Sequence, residues 1–323
     1  MIHYYQGETP ADVYRQQLRD LVENPDFTPV VQGGRKTHEL LNVITEITQP
    51  RNRMQIVPGR RLNPWLALSE SLWLLAGRDD VAALRPYNKR ICSFSDDGVK
   101  LYGAYGKRIM NQLPAAIERL RADDTDRRAV LSIWEPRDLT ALTLDPPCNS
   151  MLMFKVRDRK LYMSVFCRSN DLHWGLHAVN LPQFSLLQEY VAARLGVAMG
   201  TQIHYSQSLH IYIEGPAAEI TYRIMMKQDE PIRHLVAGQA FPYPFNFSHE
   251  EFIEACNIVL DAGIKVPISK FAPFLEFASD FLRCYLDRGD PYGWRLGHCR
   301  YANQFYDWVA IAEEFWAYEK TRA

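Results

Sequence analysis

Paired cysteines are missing from this chain: Cys92, Cys148, Cys167, Cys256, Cys284 and Cys299 are scattered, with no CxxC among them. In a chain of this length that argues against a disulfide framework and for free thiols in a reducing compartment. His298-Cys299 lacks a second pair of ligands, so no structural metal is expected. An excess of either charge is missing as well, because 37 Lys and Arg stand against 38 Asp and Glu. No broad basic field is available for nucleic acid or an anionic membrane. No apolar run reaches the length of a membrane span, and Met1-Ile2-His3-Tyr4-Tyr5 reads as neither a signal nor a transit peptide. A cytoplasmic protein with no membrane or nucleic-acid partner is expected.

What remains is ordinary for a globular chain with a sizeable core, 47% hydrophobic and 23% charged. Helical spacing runs from Pro10 to Asn24. Asn63 to Ala76 is apolar nearly all round, with Asn63-Pro64 as cap and first turn, and predicts a buried helix with Glu70 in its middle. Strands are expected over Asp126–Trp134, Met151–Val156, Leu161–Cys167 and Ile203–Ile213, with a turn at Arg157–Lys160. A helix is expected over Leu181–Leu195, and aromatic helices over Glu250–Ala262, Pro273–Arg288 and Tyr301–Lys320. No repeat or linker divides the chain. The pattern predicts a mixed α+β catalytic domain over 1–247, with a helical extension over 248–323 packed on it.

Several residues carry both a structural and a chemical reading. Cys148 follows Pro146-Pro147, which stiffen its backbone; it is either a small core residue or a nucleophile whose thiolate Arg168 favours. Arg127-Arg128 and Arg168-Ser169 stand at strand ends. Such guanidinium and hydroxyl groups suit a phosphomonoester, although solvated surface arginines look the same in sequence. A buried Glu70 must pair with an arginine or serve proton transfer. Asn180 caps a helix or reads a planar base edge. His210 and Tyr212 share one face of a strand and either hold sugar hydroxyls or form a half-buried pair.

The phrases SESLWLLAG, YGAYGKR, DRRAVLSIW, PPCN, CRSNDLHWG, VNLPQFSLLQEY and SLHIY occur in unbroken order across roughly residues 60 to 215. Together they resemble the thymidylate synthase superfamily. The resemblance implies a mixed-sheet α+β fold in a two-fold homodimer with shared active sites. Cys148 would add to C6 of a pyrimidine nucleoside monophosphate, and 5,10-methylenetetrahydrofolate would supply carbon to C5. Glu70 and Tyr105 would manage proton transfer. Arg168, Ser169, Arg127, Arg128 and Arg35 would hold the phosphate, the Arg127-Arg128 pair reaching the partner's site. Asn180 would orient the base, His210 and Tyr212 the sugar, and Asp171 the pterin.

Departures narrow the resemblance. Cys148-Asn149 stands where the synthases have Cys-His, placing Asn149 in the catalytic group. HAVNLPQF is one residue longer than their PFNIASY. They close the folate site with a short apolar tail, and the ending Ala317–Ala323 shows no such lid. A wetter site lets water add in place of hydride. The likeness is greater to nucleotide hydroxymethylases, so a CMP or dCMP hydroxymethylase is expected, with thymidylate synthase or dUMP hydroxymethylase as the alternative and a non-catalytic nucleotide- or RNA-binding relative last.

Overall fold

A computed structural model describes residues 1–31, 34–241, 245, 247–261, 273–288 and 295–320. Its centre is a mixed sheet built from β1 (His3–Gly7), β2 (Val30–Val31), β3 (Arg35–Ile47), β4 (Val130–Ser132), β5 (Asn149–Arg157), β6 (Lys160–Cys167), β7 (Asn170–Asp171) and β8 (Ala198–Tyr212). The main path runs β1-β3-β8-β6-β5-β4, with β2 beside β3 and β7 beside β8. Helices α1 (Pro10–Glu23), α2 (Pro64–Leu75), α3 (Tyr105–Ile109), α4 (Leu113–Ala122), α5 (Leu181–Leu195), α6 (Pro216–Met225), α7 (His249–Asp261), α8 (Pro273–Leu286) and α9 (Tyr306–Lys320) complete the chain. The α+β expectation holds.

Strand alternation divides the sheet into two unlike faces. Leu152, Phe154, Leu161, Met163 and Val165 point to one side, where they are buried with Phe184, Leu187 and Tyr190 of α5. On the other side, Met151 opposes Phe166, Phe166 opposes Tyr205, Tyr205 opposes Ile44 and Ile44 opposes Tyr4. This row is apolar and only partly buried; Tyr4 is 55% exposed.

Helix α2 is buried on almost every side, as its composition demands, and Asn63 Oδ1 accepts the Leu66 N–H as its cap. The C-terminal helices cover it. The Trp65 ring stacks on Phe281 with centroids 5.2 Å apart, and its indole N–H donates to the Phe281 carbonyl. Trp308, Phe305 and Phe274 join the same continuous core as the sheet.

Three expectations need correction. The strand predicted over Asp126–Trp134 is only Val130–Ser132, because Asp126 turns its carboxylate to the Arg128 backbone and guanidinium and holds that approach as a turn. The last helix begins at Tyr306 and not Tyr301, whose φ of +60° belongs to the turn before it. Long strand β3 lies where no element is predicted. Ala262, the predicted end of α7, and the tail 321–323 lie outside the described residues.

Candidate active site

Cys148 sits at the end of a loop where β5 begins, next to the end of β6. The pairing of Asn149 with Cys167 puts Arg168 across from it. The Arg168 N–H donates to the Cys148 carbonyl at 2.9 Å. Its guanidinium donates to the carbonyls of Pro147 and Pro146 at 3.0 and 3.2 Å, and reaches Cys148 Sγ at 3.8 Å. It also lies 5.7 Å from the Trp134 ring centre. The arginine therefore clamps the diproline loop while remaining exposed. Its charge favours the thiolate, but burial of the sulfur outweighs it, and the Cys148 thiol is pushed above its ordinary pKa. The expected depression of the thiol by Arg168 is thus overridden in the free chain.

Glu70 points from the middle of α2 and has no hydrogen-bond or ion-pair partner among the described residues. Desolvation, with the charge of Asp145 second, pushes it up to about 8. Of the two readings open in sequence, arginine pairing falls away and a protonated carboxyl remains. Tyr105 opens α3, its ring stacked at 6.1 Å on Phe184 and its hydroxyl interacting with Asn149; burial holds it well above its ordinary pKa.

Asn180 does not begin a helix. Residues Leu172–Asn180 form a π-helical segment that runs into α5, and Asn180 has helical angles of −65° and −46° with no capping bond. Its amide is instead the hub of a buried network. Asn149 Nδ2 and Gln183 Nε2 donate to Asn180 Oδ1 at 3.3 and 3.0 Å. Asn180 Nδ2 donates to Asn170 Oδ1 at 3.2 Å, and Asn170 Nδ2 to Ser206 Oγ at 3.1 Å. Asn149 Oδ1 is buried with no partner that meets hydrogen-bond geometry. An amide facing a cluster of amides is well placed to read a flat ring whose edge alternates donors and acceptors.

Asp171 caps the π-helical segment, accepting the Trp174 N–H at 2.7 Å. It lies opposite His210 in the β7–β8 pairing. Burial raises its pKa against the pull of His210 and Arg35, and lowers that of His210 against the pull of Asp171 and Glu39. His210 and Tyr212 do share a face, their rings edge to face at 5.4 Å, and Arg35 lies 4.2 Å over Tyr212. Ser169 lies beside Arg168, and its carbonyl accepts from the Cys167 thiol at 3.1 Å.

Cys148, Arg168, Glu70, Tyr105, Asn149, Asn180, Asp171, His210, Tyr212 and Arg35 therefore form one neighbourhood. Arg127 and Arg128 do not join it within the chain. Both are exposed, and Arg128 is bound to Asp126 at 2.8 Å. Sequence reasoning missed Gln183 and Asn170, although both stand inside the quoted phrases, and it missed Asp145. Burial raises Asp145 to about 6, and its charge is felt by Glu70, Tyr105 and Cys148. Among the described residues no group of three His, Cys, Asp or Glu is arranged to hold a metal, and no helix is long and apolar enough to cross a membrane.

Fold and site together define a mixed-sheet α+β protein with a thiol, a guanidinium and a protonated carboxyl gathered at one end of its sheet. The chain belongs to the thymidylate synthase family, whose model matches residues 12–247. It is 36% identical over 252 residues to a deoxyuridylate hydroxymethyltransferase of Bacillus phage SP01, covering 71% of this chain and 65% of that protein. A deoxyuridylate hydroxymethyltransferase of Pseudomonas phage M6 is 39% identical over 214 residues, covering 62% of this chain and 61% of that one. The thymidylate synthase of Symbiobacterium thermophilum is 35% identical over 167 residues, 45% of this chain and 57% of that one. The chain spans less than two thirds of the length of these relatives.

Proposed function

We propose that this chain transfers a one-carbon unit to C5 of a pyrimidine nucleoside 5′-monophosphate and releases the 5-hydroxymethyl nucleotide. The observation that carries the reading is a thiol 3.8 Å from an exposed guanidinium, in the neighbourhood of a carboxyl raised to about 8. A nucleophile, an anion clamp and a group able both to give and to take a proton at neutral pH are the parts such a reaction needs.

Cys148 forms a bond to C6, which makes C5 electron-rich. Arg168, Ser169 and Arg35 hold the phosphate, and Asn180 with Asn149 meets the base edge. His210 and Tyr212 face the sugar. Neutral Glu70 gives a proton; ionised, it takes the one leaving C5, with Tyr105 alongside. Methylenetetrahydrofolate would supply carbon at the oxidation level of formaldehyde. The residues fit its pterin: Asp171 is a carboxylate held by backbone N–H groups of Trp174 and His173, of a kind that accepts from ring N–H groups, and Trp174 is 47% exposed beside it.

The two phage relatives, named deoxyuridylate hydroxymethyltransferases, favour uracil as the base. Cytosine, expected from the sequence, is the second reading. It is supported by the all-amide surroundings of Asn180, in which the amide can turn over and exchange donor for acceptor. The half-bare apolar sheet face supports a homodimer through the sheets. Arg127 and Arg128, which join no site in their own chain, would then reach the partner's phosphate. We read the described residues between 248 and 320, helices α7, α8 and α9, as a helical buttress for α2 and hence for Glu70.

Mass spectrometry of products from dUMP, dCMP and CMP with methylenetetrahydrofolate tests both base and added group. A 5-hydroxymethyl nucleotide is expected; a methylated nucleotide with dihydrofolate would overturn the hydroxymethyl reading.

A further inference from the structure

Asp145 lies on the diproline loop that delivers Cys148, and the way it is held is unusual for a loop carboxylate. Its Oδ2 accepts the Gly103 N–H at 2.8 Å, and its own N–H donates to Thr143 Oγ1 at 3.1 Å. A Cβ on Gly103 would lie 2.6 Å from the Asp145 carbonyl and 3.1 Å from Pro147 N. Only a glycine lets the strand of chain leading into Tyr105 press this closely on the loop leading into Cys148. The contact brings Asp145 among Glu70, Tyr105 and Cys148, each of which feels its charge. The second carboxyl oxygen of Asp145 accepts no hydrogen bond from the described residues, and Glu70 has no partner either. Two half-buried carboxyls with free oxygens in one site call for water between them.

We propose that Asp145 is a catalytic residue, forming with Glu70 a carboxyl pair that holds the water consumed in making the hydroxymethyl group and takes its proton. This rests on the reading of the chain as a C5 hydroxymethyltransferase. The water oxygen bonds to the exocyclic methylene carbon on C5. The electron pair of that double bond moves into the ring to form C5=C6 as the Cys148 sulfur leaves C6 with its bonding pair. The water proton goes to the ionised member of the carboxyl pair. No oxidant or reductant is needed.

The groups facing Asp145 are Glu70 from α2, Tyr105 and Arg108 from α3, Cys148 from its own loop, and Asp96. Arg108 lowers its pKa, although that guanidinium is already committed to Asp138, while Asp96 raises it. Burial is the largest influence and leaves Asp145 near 6, so below pH 8 the pair carries a single charge over most of the neutral range.

The test is Asp145→Asn, which keeps an oxygen for the Gly103 N–H. In a Cys92→Ser background without nucleotide or folate, the pH profile of Cys148 alkylation by iodoacetamide is measured in the full chain. Loss of the Asp145 charge shifts the midpoint to lower pH, giving about threefold faster alkylation at a fixed pH below it, half a pH unit. An unmoved midpoint in a variant with an unchanged melting temperature overturns the placing of the Asp145 charge beside the reacting thiol, and the proposal with it. With nucleotide and methylenetetrahydrofolate, the variant should form 5-hydroxymethyl product at least about tenfold more slowly while still exchanging the C5 hydrogen; unchanged product formation overturns the water role. If the unsubstituted chain makes no such product, the functional reading fails, and the alkylation profile still decides the place of Asp145.

Discussion

Two sulfur environments in this chain show how little a cysteine reveals by itself. At one end of the sheet, Cys148 is half-buried, with a guanidinium at 3.8 Å and carboxyls around it. Under the C-terminal helices, Cys284 and Cys299 bring their sulfurs to 3.3 Å in a buried setting of aromatic rings. Their surroundings drive the Cys284 thiol far up, with the bond to Cys299 as the first cause. The first thiol is only partly buried and has a guanidinium beside it; the second is buried against another thiol, with the Arg295 carbonyl 3.9 Å from Cys299 Sγ and with Asp280 and Asp287 raising Cys284 further. Reactivity follows from the neighbours and from access.

The sharpest way to break this contrast is Cys148→Ser. It should abolish exchange of the nucleotide C5 hydrogen while leaving nucleotide binding largely intact, and retained exchange, followed by tritium release, would remove Cys148 from the chemistry. Next in size, Glu70→Gln should slow turnover by roughly 10²–10⁴-fold. It should also change stability with a definite sign. A glutamate ionises near about 4 in an unfolded chain, whereas Glu70 does so at about 8 when folded. The native state therefore holds the proton more tightly, and stability is lost as pH rises from about 4 to about 8. Thermal melting across that window should show Glu70→Gln gaining on the parent chain as pH rises; parallel curves would mean that Glu70 is ionised at pH 7.

Arg168→Ala should weaken nucleotide binding by about 2–5 kcal/mol, read by calorimetry, if the guanidinium grips the phosphate. An unchanged dissociation constant would leave it with only its loop-clamping role. The smallest effect belongs to the other sulfur site. Cys284→Ala should cost stability by about 1 kcal/mol through lost packing and leave turnover unchanged; a large loss of turnover would erase the contrast between the two regions.

The strongly periodic elements were legible in the sequence. Helix α2 announced itself through Asn63-Pro64 and its apolar run, α5 through its spacing, and the β5–β6 hairpin through Arg157–Lys160, where Asp158 and Arg159 take φ of 49° and 55°. Strand β3 was hidden because its alternation is interrupted: Leu40 and Leu41 stand together, and Asn42 takes a left-handed φ of 55°. Cys148, Glu70 and Arg168 were legible because their residue types are costly or reactive in the positions they occupy. Asp145 was not, since its meaning depends on Gly103 and Glu70, both remote in sequence. Asn180 was misread as the start of a helix because a π-helical lead-in carries no apolar period that sequence inspection recognises.

That lead-in also leaves spare chain ahead of α5. A wide helical turn is a length of chain with one residue more than an ordinary helix requires, held in place by capping at Asp171 and by the start of α5. Excising a single residue between Leu172 and Val179 lets the backbone rewind with tighter hydrogen bonds while α5 keeps its seat. A lead-in one residue shorter would therefore fit the same scaffold without rebuilding the hydrocarbon interior beneath it.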